Sequence, residues 1–131
     1  MLKKMSLFAF VAMITFLLIP QNDAFAQGRN AEEVEFTVLG NCGMCKDRIE
    51  RAAYTVRGVR SANWDQEKQK LTLTFRTDRT DQETIERAIA KAGHDTESFI
   101  TDEETHANLH HCCIYVRDPE LLKNNKLHND E

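Results

Sequence analysis

Cys42 and Cys45 stand two residues apart in the segment Leu39-Gly40-Asn41-Cys42-Gly43-Met44-Cys45. Thiols at this spacing can point both sulfurs at one ion across a turn. Thiolates select soft ions, here Cu(I), Hg(II), Cd(II) or Zn(II). The pair falls between a strand pattern and a helical stripe, so Cys45 is expected in the first turn of a helix. Exposed amides and the helix dipole lower a thiol pKa there, and Lys46 and Arg48 add positive charge. The same spacing also suits thiol–disulfide exchange. A thioredoxin-like chain, however, would carry a Trp or Pro beside the motif and a cis-Pro loop. The two prolines of this chain are Pro20 and Pro119, both far from the pair. Met1, Met5 and Met13 lie in an N-terminal leader, which leaves Met44 alone and excludes a thioether-rich copper site.

A second cluster, His110-His111-Cys112-Cys113, follows His106 near the C-terminus. Adjacent cysteines rarely bridge each other, because the ring is strained. They can bind metal with the histidines or bridge to other cysteines, and four Cys permit three pairings. Three readings stay open: a second metal site, a lid folded over Cys42 and Cys45, or a structural segment with Cys-Ile-Tyr-Val buried or bridged to the domain.

The elements that must place these groups follow from periodicity. Val34, Phe36 and Val38 alternate with Glu35 and Thr37 in a half-buried strand. Ile49, Ala52, Ala53 and Val56 recur at helical spacing and stop before Gly58. Val59, Ala62 and Trp64 mark a second strand; Leu71, Leu73 and Phe75 mark a third. Thr80 with Glu83 forms a capping-box pattern ahead of Ile85, Ala88, Ile89 and Ala92. His94 to Phe99 is a weaker fourth strand. The order predicts an α+β, ferredoxin-like βαββαβ sandwich: a four-stranded antiparallel sheet with two helices on one face. The expected core is Val34, Phe36, Val38, Ile49, Ala53, Val56, Leu71, Leu73, Phe75, Ile85 and Ile89. In this topology the last strand begins beside the end of the first. His94 is therefore a candidate third ligand or protonatable cap, unless it is a solvated His at a helix C-terminus.

Lys3 and Lys4, the apolar run Leu7–Ile19 and Ala24-Phe25-Ala26 before Gln27 predict a signal peptide over residues 1–26. The run is shorter than a bilayer span of about 20 residues, so no stable membrane span is expected after cleavage, and the expected location is periplasmic or secreted. Residues 27–32 read as an N-terminal linker, 33–100 as one domain, 101–109 as a linker and 110–131 as a tail. Asp118-Pro119 suits a short helix start, with the last ten or so residues mobile. The chain has 17 Lys+Arg against 21 Asp+Glu, a net charge of −4. An acidic surface and the lack of a Gly-rich phosphate loop argue against nucleic-acid or nucleotide binding. So small a core argues against enzymes that need a deep cleft.

Residues 33 to about 99 resemble the heavy-metal-associated domain of copper metallochaperones, metal-exporting ATPases and the periplasmic mercury-binding protein. The resemblance rests on Cys42 and Cys45 after the strand Val34–Val38, on Gly58-Val59 with Ala62, and on Ala92-Gly93. It implies metal binding through Cys42 and Cys45 and transfer to a partner by ligand exchange, without enzymatic chemistry. The implied partner is a metal transporter or efflux component. The protein is expected as a monomer, with a metal-bridged dimer as the alternative. Cu(I) is the first candidate, since two-coordinate thiolate sites suit it and the family uses it widely; Hg(II) is second. The family often places a Met two positions before the first Cys, packed under the loop. Gly40 stands there in this chain, and Asn41 replaces the acidic residue of some zinc-selective members.

Overall fold

The structure, a computed structural model, describes residues 30–130. The expected signal peptide lies outside the described residues. Strand β1 (Ala31–Thr37) pairs antiparallel with β3 (Lys70–Arg76), which pairs antiparallel with β2 (Val59–Asp65). The sheet order is β1-β3-β2. Phe36 lies opposite Leu71, and Leu71 opposite Trp64, so the alternating apolar residues share one face. Helices α1 (Gly43–Tyr54) and α2 (Gln82–Lys91) cover that face with Ile49 and Ala53, and with Ile85 and Ile89. On the opposite face Thr72 donates a hydrogen bond to Glu35 at 3.1 Å. Nine of the eleven expected core residues are buried; Val34 and Val56 sit half-buried at the rim. The helix α2 cap is displaced by one residue from the Thr80/Glu83 pattern. Asp81 is the N-cap and accepts the Thr84 amide at 2.8 Å, which holds its carboxyl below the usual range.

The expected fourth strand is reduced to one antiparallel bridge, Val38 to Thr96, with Leu39 N–H donating to Asp95 O at 2.9 Å. The physical reason lies in Glu86, which is buried on α2. Its carboxylate accepts from Thr96 Oγ1 and the Ser98 amide, both at 2.8 Å. Thr96 N–H also closes a turn onto Phe99 O at 2.7 Å. The polar groups of residues 96–98 are thus used in a turn around a buried carboxylate rather than in a ladder. Phe99–Ile100 (β4) pairs instead with Lys126–Leu127 (β5) in a separate two-stranded parallel sheet. The main sheet therefore has three strands, not four.

The C-terminal segment packs against the domain. The stretch 101–109, expected as a linker, holds helix α3 (Glu103–Ala107), capped by Asp102, which accepts the Thr105 amide at 2.8 Å. Leu109, Cys113 and Tyr115 join the buried core. Gly93, at φ +109°, leaves room for Leu109, whose Cδ2 lies 2.6 Å from where a Cβ would stand. Tyr115 Oη accepts the Asp95 amide at 2.7 Å and donates to Gly93 O at 3.0 Å. Arg117 grips the Asp95 carboxylate through two hydrogen bonds of 2.7 and 2.8 Å, and also donates to Thr101 O. Asp95 is 0% and Arg117 9% exposed. Asp118 caps helix α4 (Pro119–Asn124), as the Asp-Pro pair predicts. Residues 126–127, expected to be mobile, form β5.

Removing one partner of a buried, hydrogen-bonded ion pair costs about 3–5 kcal/mol, because the other charge is left uncompensated. Arg117→Ala is therefore expected to lower apo stability by about that amount in a denaturant titration. Truncation after Thr101 should do at least as much. An unchanged midpoint in both would mean that the tail does not dock.

Candidate metal centre

The loop Val38–Cys42 is held from beneath by Trp64. The buried indole N–H donates to Val38 O at 2.9 Å. Its ring lies 2.9 Å from where a Gly40 Cβ would stand. This accounts for glycine at a position where the family often has Met: the space under the loop is already filled from β2. The Gly40 amide donates to Gln69 Oε1 at 2.9 Å, which ties the loop to the β2–β3 turn. Cys42, in extended conformation at φ −151°, is the N-cap of α1. Cys45, in the first turn, is fully buried, and its Sγ accepts the Asn41 amide at 3.3 Å. The pair is therefore not an exposed loop pair: Cys42 is half-buried, while Cys45 belongs to the core.

The tail brings the other two thiols to the same place. Cys42 Sγ lies 3.3 Å from Cys112 Sγ, 3.6 Å from Cys45 Sγ and 3.8 Å from Cys113 Sγ. Cys112 and Cys113 sulfurs are 3.9 Å apart. Asn41 Nδ2 donates to Cys112 O at 3.3 Å and pins the tail to the loop. All four cysteines are free thiols. The geometry has features of two of the open readings: the tail lies over Cys42, and Cys113 and Tyr115 are buried against the domain. Sequence reasoning did not find Trp64, Asn41, Asp95, Tyr115 and Arg117 as residues that build the site.

The thiols are not electrostatically equal. Burial pushes the Cys42 thiol up. Hydrogen bonds from the Cys112 thiol, the Cys45 backbone, and the Cys45 and Cys113 thiols outweigh that and bring it down to about 7. Burial pushes Cys113 up, and the neighbouring sulfurs push it further. Cys112 is raised chiefly because its hydrogen bond goes to Cys42. Cys42 is thus the readiest of these three thiols to ionise, and Cys112 and Cys113 resist it.

The histidines divide. His110 Nδ1 is 3.3 Å from Cys112 Sγ, and its ring packs against that of the exposed His111 at 4.2 Å between centroids. His106 is directed elsewhere, its Nε2 3.2 Å from Tyr115 O. His94 is buried beside the loop, as the topology predicts, with Nδ1 3.0 Å from Leu39 O. A carbonyl only accepts, so Nδ1 carries the hydrogen and Nε2 presents a lone pair. Nε2 is buried without a hydrogen-bond partner. Burial lowers the His94 pKa to about 4, so the ring is neutral at physiological pH. It is not a solvated His. The set of ligand atoms within 4.8 Å of one another among the described residues is Cys42, Cys112 and Cys113, without His94.

Residues 41–95 match the heavy-metal-associated domain family. The match spans Cys42, Cys45 and His94 and stops short of the tail. None of the curated proteins compared with the chain matches it. Among solved structures it is similar to the CopZ metallochaperone, at 26% identity over 50% of this chain and 98% of that one, with a TM-score of 0.48. It is also similar to oxidized MerP from Ralstonia metallidurans CH34, at 25% identity over 51% of this chain and 94% of that one, with a TM-score of 0.49. A third is the N-terminal domain of a potential copper-translocating P-type ATPase from Bacillus subtilis, at 24% identity over 50% and 84%, with a TM-score of 0.48.

Two measurements check the site. Cys42 should react with iodoacetamide with a midpoint near pH 7: slowly below it, where the thiol is protonated, and fast above it. A midpoint near that of an ordinary thiol would mean that its neighbours do not donate to it. Gly40→Ala should destabilise the apo protein by about 1–3 kcal/mol, because a methyl group there overpacks against Trp64. An unchanged melt would show that the ring can move aside.

Proposed function

We propose that this protein is an exported, non-enzymatic carrier that captures a soft metal ion, Cu(I) before Hg(II), Zn(II) or Cd(II), and passes it to a transporter or efflux component. The observation that carries the reading is the convergence of three thiols on that of Cys42, with Cys45 3.6 Å away in the first turn of α1. Thiolates at a helix start select soft cations. Cys42 and Cys112 are half-buried while Cys45 and Cys113 are buried, so one edge of the cluster is open to an incoming thiolate. Ligand exchange at that edge would move the ion without releasing it to water. The leader supports export and a periplasmic or extracellular site of action. Among the described residues no helix is long and apolar enough to cross a membrane.

Thiol–disulfide exchange is the second reading, because a thiol brought down to about 7 beside a second cysteine also suits that chemistry. Elemental analysis of protein purified under reducing conditions, followed by Cu(I) competition titration, separates the two. The carrier reading expects near-stoichiometric soft metal, lost in the Cys42→Ser/Cys45→Ser double variant. Metal-free protein that neither binds Cu(I) nor changes with the double substitution would sink it. The mature protein should begin at Gln27 when isolated from the periplasm or medium; an intact leader on the mature form would contradict export by cleavage.

A further inference from the structure

The sulfurs of Cys42, Cys112 and Cys113 form a nearly equilateral triangle, with edges of 3.3, 3.8 and 3.9 Å. A point equidistant from all three lies about 2.1 Å from each in their plane, just under a metal–thiolate bond of about 2.3 Å. An atom bonded to all three at that length sits slightly above the plane, which is trigonal-pyramidal coordination. The Cys42–Cys45 pair is different. Two-coordinate thiolate binding sets the sulfurs on opposite sides of the ion, about 4.6 Å apart at the same bond length, against 3.6 Å here.

We propose that Cys42, Cys112 and Cys113 form a binding site for a trivalent thiophilic metalloid of the arsenite or antimonite class, distinct in its ligand set from the Cys42/Cys45 pair. Charge argues for this class. Three thiolates around Cu(I) leave a net charge of −2, and around Hg(II) −1, in a site whose Cys113 is fully buried. Around a trivalent centre they leave none, and burying an uncompensated charge is costly. The exchange needs no oxidant or reductant. Arsenous acid and three thiols give the tris-thiolate and three waters: three As–O and three S–H bonds break, three As–S and three O–H bonds form, and no oxidation state changes. The entering molecule is small and neutral, and it meets the half-exposed Cys42 and Cys112 before the buried Cys113. The tail that carries two of the three thiols is docked through Tyr115 and Arg117, on its own hydrogen bonds, so the triangle is preformed.

The test uses the reduced mature protein with sodium arsenite, and Cu(I) in parallel. Cys112→Ser is the principal variant, because Cys112 is half-exposed. Cys113→Ala is the second, with circular dichroism to confirm that each is folded. Wild type should bind one arsenic with three sulfur neighbours by X-ray absorption. Cys112→Ser and Cys113→Ala should each lose affinity roughly tenfold or more, whereas Cys45→Ser keeps the arsenic and its three sulfurs. No arsenite binding by wild type, equal binding by folded Cys112→Ser, or a loss in Cys45→Ser as large as in Cys112→Ser would each overturn the proposal. The Cu(I) arm judges the carrier reading separately: failure to bind Cu(I) counts against that reading and leaves the arsenite result standing.

Discussion

The buried pair Asp95–Arg117 is the constraint on which the site depends. Asp95 ends the segment that crosses beside the loop, and its backbone carbonyl accepts the Leu39 amide. Its carboxylate holds Arg117 and also accepts the Thr101 amide at 2.9 Å. One residue therefore ties together the base of the cysteine loop, the exit from the domain and the far end of the tail. Burying two charges is unfavourable unless the geometry and the remaining hydrogen bonds compensate, and a hydrophobic replacement is often no less stable. The pair is thus better understood as fixing where the tail runs than as a source of net stability. With Tyr115 locked onto Gly93 and Asp95 two residues earlier, Cys113 and Cys112 have little choice but to meet Cys42.

The loop itself is set by a different device. A side chain at position 40 would have to share space with Trp64, whose ring reaches under the loop from β2 and whose N–H is committed to Val38 O. Large aromatic rings combine a wide apolar contact with one polar anchor, which makes them good rigid supports. The support for the loop comes from the sheet rather than from within the loop. The backbone at Asn41 is then free for two tasks: its amide points at Cys45 Sγ, and its carbonyl accepts from Gln66 at 2.9 Å.

Much of the fold was legible because β1, α1, β2, β3 and α2 bury residues at regular intervals. Leu71, Leu73 and Phe75 alternate cleanly, and Ile85 and Ile89 fall one helical turn apart. The fourth strand was misread because the outcome turned on Glu86, a carboxylate on another element that captures Thr96 and Ser98. The docking of the tail was left open for a similar reason. Leu109, Cys113 and Tyr115 follow no period, and their burial depends on the space above Gly93 and on an ion pair 22 residues apart in sequence. The spacing of Cys42 and Cys45 advertised a site directly. The approach of Cys112 to Cys42, across 70 residues, was one of three open outcomes, because nothing local in either segment encodes it.

The crowding of four sulfurs has a consequence for how such a cluster works. The three sulfurs of Cys42, Cys112 and Cys113, within 4 Å of one another, cannot all ionise, since each new thiolate repels the last. The structure resolves this by lowering Cys42 and raising Cys112 and Cys113, which donate to it or face it. The docking of the tail through Tyr115 and Arg117 is what brings these sulfurs together. An ion bound there would attract every thiolate that it recruits and so tighten the tail against the loop. Linkage requires the converse as well. Whatever strengthens tail docking, including the distant Asp95–Arg117 pair, must also strengthen the hold on any ion that draws ligands from both segments. On the proposed carrier function, release to a partner would be easiest at the half-buried edge formed by Cys42 and Cys112.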